Sequence, residues 1–339
     1  MPAARPTLRT LAARLGVSPM TVSLALRRSG RISVKTRERV EQLAEQLGYR
    51  PDPFINKLMH HLRARRTKRL QASLCGLMDE WPEPLAQRHR YTQRVLAGLQ
   101  VRAAELGYAF NTLTMRDRTQ ARGVGKVLHN RRVEGLVLLP RVQRTDMGDW
   151  LDWSHFSVLS VTSSISTPAV HTVVPHHFDN TLLACQTLVG QGHRSIGLVI
   201  SREWDRRVRH RWAGAILWQN TFGGTQPVTP FLGESPDLRA DGPALRTWLR
   251  RHRPGVVVTD EVSLDTLLRT VRSLPVRRRP IIVRLAHDGG HLEAGIDQRS
   301  EAIGRTALDI LAGMIVHGDR GLPAQPNMTC VPGVWTGPG

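Results

Sequence analysis

Three short stretches of helical periodicity open the chain, each bounded by start and stop signals. Residues 8–15 follow Thr7, whose hydroxyl can cap a helix, and end at Gly16. A second stretch follows Ser18, places Pro19 at the favoured first helical position, and continues through MTVSLALR. A third is capped by Ser33 and spans 34–47, with Val40, Leu43, Ala44 and Leu47 as an apolar stripe and Gly48 as its stop. Helix, tight turn, helix and supporting helix is the order of a tri-helical DNA-binding domain. The prolines of RPDP forbid continuation past Tyr49. Asp52 and Pro53 supply a cap and first position for one new short helix, 54–62, ahead of a basic stretch to Arg69 that reads as a linker.

From residue 72 the pattern changes to apolar runs alternating with amphipathic segments. Strands are expected at 72–78, 109–115, 135–140, 157–161, 195–200, 228–231, 255–259 and 280–286, and helices at 92–106, 179–190, 207–220, 244–251, 262–274 and 302–314. Such alternation argues for parallel sheets wound with helices on both faces. There are about twice as many units as one sheet needs, so two Rossmann-like lobes are expected. The chain therefore divides into an all-α headpiece (1–50), a hinge helix and linker (51–71), and a two-lobed α/β body (72–339).

Composition adds bounds. No apolar run approaches the roughly 18 residues of a membrane span, and MPAARPTLRT lacks the apolar core of an export signal, so a cytoplasmic location is expected. Cys75, Cys185 and Cys330 are far apart and odd in number, which suits reduced, buried thiols better than disulfides or a zinc site. The net charge is +20, and residues 1–70 hold sixteen Lys and Arg against four acids, a local +12. That excess is the footprint of phosphate binding. A general arginine bias is the competing explanation, given the +8 spread over the rest of the chain.

The run TLRTLAARLGVSPMTVSLALRRSGRISVKTRERVEQLAEQLGYRPDP resembles the headpiece of the lactose-repressor (LacI/GalR) family almost throughout, with GVS-x-x-TVS-x-AL, KTRERV and LGYRP as its most specific parts. The body resembles that family's periplasmic-binding-protein-like core more loosely, through AAELGY, RRVEGLVLLP, QGHRSIGLVI, RWAGA, AGIDQRSEAIGRTALDIL and VPGVWTGP. The resemblance implies a homodimer whose headpieces occupy successive major grooves of a pseudo-palindromic double-stranded operator. It also implies hinge helices paired in the central minor groove, and a small-molecule effector, a sugar being the expected class, held between the lobes. No cofactor is implied.

It further implies roles for single residues. Ser18, Thr21 and Ser23 would hold phosphates around the start of the second helix, with Arg31, Ser33 and Thr36 as further backbone contacts. Thr7, Leu8 and Tyr49 complete the implied DNA-contacting set. Pro19, Met20 and Leu24 match the specificity positions; Met and Leu can meet thymine methyls but cannot make the bidentate guanine contact of Arg. Leu24 could instead pack on the third helix. Leu58 matches a leucine that wedges into the central base step, although Pro53 and Phe54 are unusual in that hinge, and a core or dimer contact is the other possibility. In the body, ligands of open parallel sheets sit beyond the carboxyl ends of the strands, which nominates Trp81, Arg202, Trp204, Asp260 and Asp288. Arg211, in RWAGA, matches an effector-contacting arginine, and Asp288 an aspartate that takes a ligand hydroxyl; a surface arginine and a loop cap are the alternatives. His176 and Thr259 depart from the acid and the Asn common at those places.

A catalytic reading finds little. His60–His61 and His176–His177 are adjacent pairs whose side chains diverge, and P-loop, nucleophile-elbow and GxGxxG signatures are missing from the sequence. The stronger rival is a DNA-binding regulator with a degenerate crevice, which binds a protein partner or no small molecule.

Overall fold

The computed structural model describes residues 7–26, 32–47, 49, 72–80, 90–286 and 294–337. Helices α1 (Leu8–Leu15), α2 (Pro19–Leu26) and α3 (Val34–Gln46) enclose a small core of Leu11, Ala12, Val22, Ala25, Val40 and Ala44. Each starts on a pair of hydroxyls three residues apart, Thr7 with Thr10, Ser18 with Thr21 and Ser33 with Thr36, the first accepting the backbone N–H of the second. These bonds satisfy donors that a helix start otherwise leaves unpaired. Gly16 ends α1 at φ 67°, a left-handed conformation that costs glycine little, and so permits the tight turn into α2.

The body contains two parallel sheets. The first lobe comprises β1 (Ser73–Met78), β2 (Ala109–Thr114), β3 (Val133–Leu138), β5 (Ser157–Ser160), β7 (His171–Pro175) and β13 (Met328–Val331), in the order β13-β7-β5-β3-β1-β2. A two-stranded ribbon, β4 (Thr145–Asp146) with β6 (Ile165–Thr167), lies between β3 and β7 in sequence. Helices α4 (Arg90–Leu106), α5 (Arg118–Asn130) and α11 (Ser300–His317) belong to this lobe. The second lobe has β8 (Ile196–Ser201), β9 (Phe231–Gly233), β10 (Val256–Thr259), β11 (Ile281–Arg284), β12 (Gly295–Asp297) and β14 (Val334–Thr336), ordered β14-β12-β11-β10-β8-β9, with only β14 antiparallel. Its helices are α6 (His177–Gly190), α7 (Arg202–Arg207), α8 (Arg211–Phe222), α9 (Gly242–His252) and α10 (Glu261–Arg272). The chain passes between lobes after β7, after β12 and between β13 and β14.

Buried strands read as near-continuous apolar runs because both sheet faces are covered: every residue of β8 and β10 is buried. Helices α4 and α11 cross closely enough that a Cβ on Gly98 would stand 2.1 Å from the Glu301 carbonyl oxygen, and one on Gly304 2.2 Å from that of Val95. No described helix is long and apolar enough to cross a membrane.

Several expectations need correction. The helix expected at 207–220 is α8, which starts only at Arg211 because Arg209 and His210 take φ of 56° and 58°; the short α7 before the break was not expected. The buried Asp205 carboxylate organises the break, lying 2.8 Å from His210 Nδ1 and accepting the Ala213 N–H. The strand expected at 228–231 begins only at Phe231; Pro230 has no N–H for a ladder, and the Thr229 carbonyl instead accepts the Trp248 indole. Cys330 is half-exposed on the edge strand β13, whereas Cys75 and Cys185 are buried. The strands β4, β6, β7, β12, β13 and β14 and the helix α5 were not expected.

Candidate functional site

In the headpiece the exposed surface gathers at the start of α2. Ser18 and Pro19 are exposed and Met20 is 68% exposed, unusual for a large apolar side chain with a core beside it. Thr21, Ser23 and Leu24 are half-buried, and Leu24 is not among the side chains packed on the headpiece core. Leu8 and Tyr49 do pack against that core. Ser18 Oγ and Thr21 Oγ1 lie 2.9 Å apart, Ser33 Oγ and Thr36 Oγ1 2.8 Å. Two helix starts thus present hydroxyls together with the positive end of a helix dipole, an arrangement that suits phosphate oxygens. Val34, 58% exposed at the start of α3, was not singled out from the sequence. Arg31 and Leu58 lie outside the described residues.

A cavity of about 130 Å³ opens between the carboxyl ends of the two sheets. The first lobe contributes Tyr91, Pro140 and the segment 161–164; the second contributes Trp204, Arg207, Val208, Trp212 and Asp260; the crossovers contribute Pro175, His177, Gln298 and Ser300. Of the residues nominated from the sequence, Trp204 and Asp260 meet here. Arg202 stands apart, exposed and with its Nε 3.0 Å from a Glu234 oxygen. Arg211 is also outside the lining; its guanidinium donates to Met328 Sδ at 3.1 Å, and its second terminal nitrogen is buried without a partner. Trp81 and Asp288 lie outside the described residues.

Sequence reasoning missed Arg207. Although α7 is short, this side chain is buried, its guanidinium lies 4.0 Å above the Trp204 ring, and it donates to the carbonyls of Val142 (3.0 Å) and Arg141 (2.7 Å) in the opposite lobe. Burial pushes its pKa down to about 10, so it stays charged at neutral pH. The loop it grips is held by Arg141, which is itself buried and donates to Asp79 and to the carbonyls of Met115 and Arg116, while Asp79 accepts the Val142 N–H. The chain of contacts ties one lobe to the other beside the cavity.

Three buried polar atoms of the lining have no partner: Ser163 Oγ, His177 Nδ1 and Asp260 Oδ2. Such orphans are costly and call for a ligand or a water. Asp260 caps α10 through its other oxygen, 2.7 Å from the Ser263 nitrogen, and burial pushes its pKa up to about 6. Burial pushes His177 down to about 3, with Arg211 and His176 acting the same way, so the imidazole is neutral; its ring meets Trp212 edge to face at 5.2 Å. Neutral hydroxyl-bearing groups suit these atoms, and the Trp and Tyr rings suit C–H faces. Among the described residues no group of His, Cys, Asp and Glu could hold a metal ion.

Residues 7–52 match the model of the lacI family of bacterial regulatory proteins. The chain is 26% identical to the lactose operon repressor of Escherichia coli (strain K12) over 67% of its own length, and spans 60% of that protein. Among solved structures it resembles a transcriptional regulator CelR–cellobiose complex (21% identity, 98% of each chain, TM-score 0.58). It also resembles a lac repressor dimer bound to operator and the anti-inducer ONPF (19% identity, 98% of this chain and 97% of that one, TM-score 0.54). These structural likenesses carry the fold through nearly the whole chain.

Proposed function

We propose that this protein is a sequence-specific DNA-binding transcription regulator whose operator affinity is set by a small molecule in the interlobe crevice, because residues 7–52 match the lacI-family model and the body shares the fold of a lac repressor. The observation that carries the reading is the exposed start of α2, where Met20 projects from a tri-helical core flanked by capped, hydroxyl-bearing helix starts. Phosphates would meet Thr7, Ser18, Thr21, Ser23, Arg31, Ser33 and Thr36; Pro19, Met20 and Leu24 would read bases; Leu8 and Tyr49 would support that surface from the core; Leu58 would act in the hinge. Boundaries at 1–50, 51–71 and 72–339, a homodimer on a pseudo-palindromic site, and a cytoplasmic location belong to the same reading.

The effector class that best suits the crevice is a sugar, with hydroxyls on Ser163, His177 and Asp260 and a C–H face on Trp204 or Trp212. Trp81, Arg202, Arg211 and Asp288 would act at the rim. The reading gives the protein no reaction: Ser163 Oγ, His177 Nδ1 and Asp260 Oδ2 share no hydrogen bond, so they form no nucleophile–base relay. A second reading, a regulator whose crevice takes no small molecule, draws on the cavity's size, below the roughly 300–1,000 Å³ usual for ligand sites.

Two experiments test this. Selection from random duplexes with the full chain should recover a pseudo-palindromic site, and recovery of no enriched sequence would remove the DNA reading. A thermal-shift screen against sugars and sugar phosphates should raise the melting temperature with at least one compound; a flat screen would favour the ligand-free regulator.

A further inference from the structure

The crevice lies at the carboxyl ends of the strands, so their amino ends form the outer pole of each lobe. Residue 72 leads into β1 at the outer pole of the first lobe. At the outer pole of the second lobe, the loops leading into β8, β10 and β11 form one ledge, joined by Val256 N–H to the Ser195 carbonyl and Ile281 N–H to the Gly255 carbonyl, both 3.0 Å. Strands lie about 4.8 Å apart, so these loops are immediate neighbours.

That ledge is basic. Arg251, Arg253, Arg272, Arg277, Arg278 and Arg279 are all exposed, and the sequence holds no acid in 242–259 or in 266–287. Arg279 fixes the layout by donating to the carbonyls of Arg272 (2.8 Å) and Leu274 (3.1 Å) at the end of α10. None of the six makes an ion pair among the described residues. Elsewhere in the body many arginines are paired: Arg94 with Asp297, Arg102 with Asp309, Arg305 with Glu105 and Arg141 with Asp79, and, in the second lobe away from the ledge, Arg202 with Glu234, Arg206 with Glu203, Arg239 with Asp237 and Arg284 with Glu261. Exposed arginines occur in the first lobe too, at Arg122, Arg131, Arg132 and Arg144; what sets the ledge apart is six exposed guanidinium groups in stretches of sequence that hold no acid. Helix dipoles do not account for the ledge, since α6, α8, α9 and α10 end at this pole with about half a negative charge each, against six guanidinium groups.

We propose that this pole is a second DNA-binding surface, which takes duplex through its phosphates without reading sequence. The loops leading into β8, β10 and β11 expose no Trp, Tyr or Phe among the described residues, whereas Trp218 and Phe222 are exposed at the end of α8 beside the β8 loop. A single strand, which needs rings for stacking, would have to reach that pair, and its displacing the bound duplex as readily as unlabelled duplex does would overturn the proposal. Within those three loops and the strand starts they reach, the exposed large apolar side chains among the described residues are Val276 and Ile281, a poor set of anchors for a protein partner. Guanidinium forks match phosphate. The pole does not depend on the headpiece. With the headpiece function proposed above, it would make the protein a bridge between two duplexes.

The test uses the full chain on an immobilised duplex carrying the selected site, with a labelled duplex of unrelated sequence added. Arg251, Arg277 and Arg278 donate no side-chain hydrogen bond among the described residues, so Arg251→Ser, Arg277→Ser and Arg278→Ser can be combined without disturbing the fold. The triple variant is expected to occupy the immobilised duplex as wild type does while capturing at least tenfold less second duplex. Its log–log salt slope for that capture should be shallower by about 0.9 for every phosphate it no longer neutralises. Equal capture by wild type and variant would overturn the proposal, as would displacement of the second duplex by polyglutamate as readily as by unlabelled duplex, which would point to an acidic polypeptide. If no selected site exists, the headpiece reading fails, and the pole is judged separately by whether the triple variant loses binding to the unrelated duplex in direct titration.

Discussion

Asp260 concentrates the chemistry of the crevice in one side chain. Its carboxyl is buried, its pKa is raised to about 6 from 3.8, and one oxygen has no partner. Between those two values the folded protein holds a proton that the unfolded chain has released, so stability falls as pH rises through the window, by on the order of 3 kcal/mol from this group. Asn caps a helix about as well as Asp. Asp260→Asn is therefore expected to cancel that slope and to raise stability near pH 7, while weakening the effector; parallel denaturant titrations at pH 4 and pH 7 check it, and identical slopes in both proteins would show that the carboxyl is not strained. Met20→Ala should change which bases are selected while keeping the salt dependence, as read by repeating the selection; an unchanged preference would assign Met20 to packing. Trp204 and Asp260 were legible because they follow apolar strands directly. Arg207 was not, since DRRVRHR offers four arginines with no periodic cue, and only the tertiary structure shows which one reaches the opposite lobe.

At the scale of elements, the headpiece was legible almost to the residue because a hydroxyl cap marks the start of each helix and Gly16 marks the end of the first. The body was legible where strands are buried on both faces, as in β8 and β10. It was not where the signal is local and weak: α5 carries two glycines and only two buried side chains, and β12, β13 and β14 run three or four residues. The crossing of α4 and α11 depends on a feature that apolar patterning does not reveal, the close approach at Gly98 and Gly304. Gly98→Ala is expected to destabilise by about 1–3 kcal/mol, since backbone must move. Gly123→Ala, at a helical site with nothing within 4 Å, should instead stabilise by about 0.5–1 kcal/mol. Chemical denaturation of both variants checks the pair, and equal midpoints would show that the helices can separate at no cost.

At the scale of the molecule, the two lobes are joined by three chain crossings and by Arg207, whose donors reach the 141–142 loop. A ligand that favours the closed arrangement would draw on this tie, and by linkage its effect on operator must be returned by operator on it. Arg207→Ala is expected to lower effector affinity at least tenfold while leaving operator affinity without effector within about twofold. Calorimetry and operator titration check this, and a fall in both affinities would mean that the tie maintains the fold rather than senses the ligand. The regulatory reading presupposes specific DNA binding, which one measurement tests most directly: titration of the full chain against the selected duplex and a scrambled one from 50 to 200 mM salt. The expected result is at least about 10³-fold preference for the selected duplex and a log–log salt slope of about −5 or steeper, as six or more phosphate contacts require. Equal affinity for both duplexes with a flat salt dependence would contradict it.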